Sequence, residues 1–89
     1  MSLLANVPSI NPMYRFQWEP AQDSHVLLYP EGMIQLNGSA SEILKRVNGE
    51  DSIAEIIATL EAQFEGVEGL ADDVVGFFEH AVNEGWVNV

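Results

Sequence analysis

The sequence predicts an α+β domain in which a three-stranded antiparallel meander is followed by three helices, the outline of a winged helix. Three observations predict it. Over residues 14–19 apolar and polar side chains alternate with the period of two that a half-buried strand requires. Residues 27–36, LLYPEGMIQL, set two short apolar runs either side of Pro30, Glu31 and Gly32, as a β-hairpin does. After Asn37 the apolar spacing changes to three and four, the period of a helix.

Residues 1–12 lack any period and end in Asn11-Pro12, so they are expected to form a flexible tail ahead of one domain spanning 13–89. In the first strand Tyr14, Phe16 and Trp18 share one face, and Arg15, Gln17 and Glu19 the other. Residues 20–23, PAQD, make a turn. HVLLY (25–29) has the continuous apolar centre of a middle strand, which leaves the first and third strands as edges. Pro30 pre-sets φ for the next turn, and Gly32 is expected to take the left-handed position of a three-residue loop. The third strand covers 33–36. No later segment is clearly placed to cover its outer side, although residues 86–89 or a second chain are candidates.

The helices follow in turn. Asn37 can cap the first, which carries Ala40, Ile43, Leu44 and Val47 and stops at Asn48-Gly49. The second opens on Ser52-Ile53-Ala54-Glu55, a capping box in which Ser52 and Glu55 satisfy each other's backbone N–H. Its buried stripe is Ile53, Ile56, Ile57, Leu60 and Phe64. The third helix runs from about 70 to 84 and ends at Gly85. It carries two apolar stripes, Leu70, Val74, Phe77 and Ala81 beside Ala71, Val75, Phe78 and Val82. A surface helix of a small domain needs one such stripe. The second is either a wider packing face or one wall of a groove.

Composition narrows the function. Fourteen acids face three bases, and eleven of the acids lie beyond residue 36, so the helical part is strongly negative. Such a surface repels phosphate backbones and anionic membranes; it suits a basic partner or simple solubility. The third helix holds Asp72, Asp73, Glu79 and Glu84 and no base, which excludes a DNA-reading winged helix. The chain has no cysteine, so disulfides, thiolate zinc sites and cysteine nucleophiles are absent. No apolar run approaches a membrane span and no basic residue precedes the apolar N-terminal stretch, so a cytoplasmic protein is expected.

Catalytic signals are few. No glycine-rich phosphate loop, HExxH or GxSxG occurs. His25 lies in a strand. His80 and Glu84 share a helix face, but two ligands make a weak metal site. The chain is expected not to be an enzyme and to carry no cofactor. One motif points elsewhere: GEDSIAEIIATLEAQF (49–64) resembles the segment around the modified serine of acyl carrier proteins, where Asp-Ser-Leu or Asp-Ser-Ile opens a helix. In that alternative Ser52 carries phosphopantetheine. Carrier proteins are all-helical, whereas residues 14–36 alternate like strands.

Three segments in order carry a second resemblance: LLYPEGMIQLN (27–37), SASEILKRVNGEDSIAEII (39–57) and ADDVVGFFEHAVNEGWV (71–87). Leu27-Leu28, Pro30-Glu31, Leu36-Asn37, Ala40, Ile43-Leu44, Asn48-Gly49 and Asp73-Val74 stand where the pattern of the PqqD family of pyrroloquinoline quinone biosynthesis has them. Ser39 departs from it, standing where that family more often has a threonine-like or acidic residue. The resemblance implies a chaperone that binds a ribosomally made precursor peptide. It also implies presentation of that peptide to a radical S-adenosylmethionine enzyme, which cross-links a glutamate and a tyrosine within it. Family members bind by strand addition to the third strand, with the last helix as the other wall. Carried onto this sequence, the peptide-binding residues are Gly32, Met33, Ile34, Gln35 and Leu36 with Ala71, Val75, Phe78, Glu79 and Val82. Open strand edges, or the 1–12 tail, also allow a homodimer.

Overall fold

The computed structural model describes residues 3–89. Eight elements follow in order: β1 (Ser9–Ile10), β2 (Arg15–Glu19), β3 (Ser24–Tyr29), β4 (Gly32–Gln35), α1 (Gly38–Leu44), α2 (Ile53–Gln63), α3 (Leu70–Asn83) and β5 (Val87–Asn88). β2, β3 and β4 form an antiparallel sheet with β3 in the middle, so the expected meander followed by three helices is the observed fold.

Local chemistry accounts for most boundaries. The β2–β3 loop spans four residues and closes with Asp23 at φ 51°, a conformation that aspartate tolerates better than most residues. The β3–β4 hairpin differs from expectation. Tyr29 pairs directly with Gly32, leaving a two-residue loop of Pro30 and Glu31, and Gly32 has no positive φ. A Cβ at Gly32 would meet the Tyr29 hydroxyl at 3.4 Å and its ring at 3.6 Å, ordinary contact distances, so neither φ nor space demands a glycine there. The ring lies across the glycine.

Both predicted caps are present. The Asn37 side chain accepts from the Ala40 N–H at 2.8 Å. Ser52 Oγ accepts from the Glu55 N–H, and Glu55 Oε1 accepts from the Ser52 N–H at 2.8 Å. α3 ends in a Schellman turn: the Gly85 N–H donates to the Val82 carbonyl and the Trp86 N–H to the Ala81 carbonyl, with Gly85 at φ 82°.

The N-terminal segment departs furthest from expectation, for residues 3–12 do not form a free tail. β1 pairs antiparallel with β5, placing Ser9 opposite Asn88 and Ile10 opposite Val87. The Asn11 N–H donates to the Trp86 carbonyl, and its side-chain amide donates to the Gly85 carbonyl at 2.8 Å. Further back, the carbonyls of Asn6 and Leu4 accept from the Ile53 and Ala54 N–H groups. The arm thereby satisfies two first-turn donors of α2 that no side chain reaches. Pro8 is fully buried. Residues 86–89, once candidates to cover β4, are instead engaged by this arm through Trp86, Val87 and Asn88.

The core lies between the sheet and the helices. Leu27 and Leu36 meet Ala40, Ile43 and Leu44 of α1, Ile53, Ile56, Ile57 and Leu60 of α2, Val74, Phe78 and Ala81 of α3, and Val87. Each large aliphatic or aromatic side chain fully buried here contributes about 1.5–3 kcal/mol. α3 therefore buries one line, Val74, Phe78 and Ala81, drawn from both stripes in its sequence. Leu70 and Phe77 flank it on one side, Ala71, Val75 and Val82 on the other, all half-buried.

Candidate functional site

β4 has a neighbour on one side only. The Leu36 N–H donates to the His25 carbonyl at 3.0 Å, and the register pairs Ile34 with Leu27 and Gly32 with Tyr29. Alternation along the strand then turns the backbone groups of Gly32, Ile34 and Leu36 toward β3, and those of Met33 and Gln35 outward. Of the five residues expected to bind a peptide, two present open N–H and C=O groups. Their side chains project away from the core face, opposite Leu28 and Val26. Met33 and Gln35 are exposed, Ile34 is half-buried and Leu36 belongs to the core.

The expected residues of α3 divide in the same way. Phe78 is fully buried and stiffens the helix seat from below; it does not reach the surface. Ala71, Val75 and Val82 are half-buried and Glu79 is exposed beside them. None of these lines the cavity that opens between α1, α2 and α3. That cavity, about 560 Å³ and open to solvent, is lined by Gly38, Ser39 and Ile43 of α1, Leu60 and Phe64 at the end of α2, Val67, and Leu70 and Val74 of α3. Glu42 and Asp73 stand at its wall. It uses the opposite flank of α3 from the one the sequence suggested. Phe64, expected in the buried stripe of α2, is instead exposed together with Val67, the two standing either side of Glu65 and Gly66 just past the end of the helix.

The cavity adjoins β4 through the chain itself. The strand ends at Gln35, Leu36 and Asn37 turn the backbone, and Gly38 and Ser39 are already cavity wall. An extended ligand leaving the end of β4 beside Gln35 thus approaches an apolar pocket. Its carboxylates differ in state. Lys45 donates to Glu42 at 2.9 Å and Arg46 at 3.2 Å; the Lys45 hydrogen bond first, then the charges of both bases, hold the Glu42 carboxyl below its usual range. Arg46 also bonds Gln63, tying α1 to the end of α2. Asp73 has no ion-pair partner among the described residues, which leaves it open to a basic ligand group.

Other candidates resolve into structure. Ser52 is half-buried and committed to its capping box, and the N-terminal arm crosses the adjoining turn. Its place in the Asp-Ser-Ile triplet needs no prosthetic group to explain it. His25 stacks on Phe16 with centroids 5.0 Å apart and meets the edge of Trp18; His80 meets Trp86 edge-on. Among the described residues no three histidine or acidic side chains gather to hold a metal, and no helix is long and apolar enough to cross a membrane.

Comparison with known proteins meets this geometry. Residues 24–87 match the family described as coenzyme PQQ synthesis protein D (PqqD). A PqqA binding protein of Stutzerimonas stutzeri is 49% identical over 86 residues, covering 97% of this chain and 94% of its own. PqqA binding protein 1 of Pseudomonas putida is 56% identical over 81 residues, covering 91% and 89%. The solution structure of the PqqD truncation of Methylobacterium extorquens PqqCD superposes with a TM-score of 0.80 at 20% identity, over 100% of this chain and 96% of that one. That protein is described as a functional, stand-alone recognition element for ribosomally synthesised, post-translationally modified peptides. The likeness establishes a shared fold.

Proposed function

The chain belongs to the PqqD family, and on that premise we propose that it is a non-catalytic chaperone for a PqqA-type precursor peptide. The peptide adds as a fourth strand to β4. The chain then presents it, in the cytoplasm, to a radical S-adenosylmethionine enzyme that cross-links a glutamate and a tyrosine. Relatives about half identical over nearly their whole length are named for PqqA binding. The observation that carries the site is the one-sided β4, whose Met33 and Gln35 backbone groups face away from the sheet.

Strand addition draws affinity from those backbone groups and selectivity from side-chain pockets. The cavity beside the end of β4 supplies the pocket, sized for one or two large apolar side chains, and Asp73 favours a lysine or arginine next to them. α3 then contributes Leu70, Asp73 and Val74 as the wall, with Ala71, Val75, Glu79 and Val82 on its farther flank.

Titrating the 15N-labelled chain with PqqA peptide tests this. The amides of Met33 and Gln35 are expected to shift most, with Leu70, Asp73 and Val74 next. Shifts that spare residues 32–36 sink strand addition to β4. Shifts at 32–36 joined by Ala71, Val75 and Val82, rather than by Leu70 and Asp73, move the wall to the other flank of α3.

A further inference from the structure

The sheet has a second edge, β2, that peptide binding does not use. Ser24, Val26 and Leu28 pair with Glu19, Gln17 and Arg15, and β3 turns the backbone of Leu27 toward β4. The backbone groups of Arg15, Gln17 and Glu19 therefore face β3, and those of Phe16 and Trp18 face outward. Trp18 is half exposed. Arg15 is exposed, and it is the one basic side chain in no ion pair among the described residues.

Read in both directions, the strand RFQWE has a self-complementary order: cation, aromatic, amide, aromatic, anion. We propose that β2 pairs antiparallel with β2 of a second copy of this chain, about a two-fold axis through Gln17. In that register Arg15 lies opposite Glu19 of the second copy, twice. Phe16 lies opposite Trp18 of the second copy, also twice, and these are the residues whose N–H and C=O groups point outward. Backbone parity and side-chain chemistry thus select the same alignment.

Neighbouring registers fail. An axis through Trp18 sets Phe16 against Pro20, which has no N–H to donate. An axis through Phe16 sets Arg15 against Gln17 and leaves both charges unpaired. The favoured register joins two sheets into one of six strands and leaves each β4 on an outer edge, about 24 Å apart at the usual strand spacing. A five-residue edge falls short of the roughly 1,200 Å² of a durable interface, so the dimer is weak and concentration-dependent.

Sedimentation of the purified chain from micromolar to millimolar concentration tests this, with melting temperatures confirming that each variant is folded. Wild type is expected to pass from monomer toward dimer. Arg15→Glu and Glu19→Arg each replace two attractive pairs by two repulsive ones and weaken self-association by about tenfold or more. Mixing the two variants restores association, as does combining both changes in one chain. A wild type that stays monomeric throughout, as it would if β2 pairs only with another protein, overturns the proposal. So does a dimer indifferent to Arg15→Glu, or variants that fail to recover on mixing.

Discussion

The two edges of one small sheet differ in how much they specify. β4 is four residues long, carries no charge, and opens at its end onto an apolar cavity. β2 is five residues long and ends in opposite charges with aromatics between them. An uncharged edge accepts any strand with hydrogen-bonding groups and leaves discrimination to a pocket elsewhere. An edge bracketed by charges discriminates within the strand itself, because a wrong register or partner places like charges together or leaves them unpaired. A protein that must hold a peptide firmly and yet not aggregate through its own backbone is served by one edge of each kind.

Single substitutions separate the two edges from one another and from the fold. The largest effect is expected from Ile34→Pro. That N–H faces β3, so its loss orphans a buried carbonyl at about 1–3 kcal/mol and breaks the sheet as well. Chemical denaturation should show a domain largely unfolded. Gln35→Pro removes an outward N–H one position later, so the fold should persist. Calorimetric titration should then show PqqA affinity lower by about a hundredfold, and a Gln35→Pro chain that binds normally would refute β4 as the platform. Phe64→Ser strips one wall of the cavity and is expected to weaken the peptide by about tenfold while leaving sedimentation unchanged. Arg15→Glu should do the reverse, weakening self-association while peptide affinity stays within about twofold. The smallest effect concerns α1, which links β4 to the cavity. The Glu42 carboxyl is held below its ordinary range, so its ion pairs add stability above that range and lose it as pH falls through the lowered value. Glu42→Gln should abolish that part of the acid dependence, a change within about 0.5 kcal/mol because the pairs lie at the surface.

Much of the fold was legible because its signals are local. The Asn37 cap, the Ser52–Glu55 box and the Gly85 stop each act within four residues, and all three appear in the structure; the strand expected over 14–19 is β2, although Trp18 on its apolar face is exposed. The docked arm was not legible, since it bonds through backbone groups of Leu4, Asn6 and Asn11 to partners far along the chain, and backbone pairing leaves no side-chain period. The inward face of α3 was hidden by abundance. With apolar residues over nearly half of its circumference, periodicity alone does not tell Phe78 in the core from Val75 on its flank. Gly32 suggested a left-handed turn position by its type, yet it is the first residue of β4, paired with Tyr29 and without a positive φ. The open edge of β4 was visible by counting strands; that only Met33 and Gln35 face outward needed the register.

The clasp between the two ends of the chain has a consequence for the order of events during synthesis. Asn11 bonds Gly85 across 74 positions, and β1 finds its partner only in β5. The meander and the helices close short loops and can form as they emerge. β1 must wait for β5, although Asn6 and Leu4 just before it can already bond Ile53 and Ala54 as α2 forms, and the β1–β5 pairing closes a long loop at a high entropic cost. A growing chain therefore carries a finished β4 edge before β1 is fastened. A ribosome stalled short of residue 87 would display a sheet able to accept a strand while β1 has no partner strand.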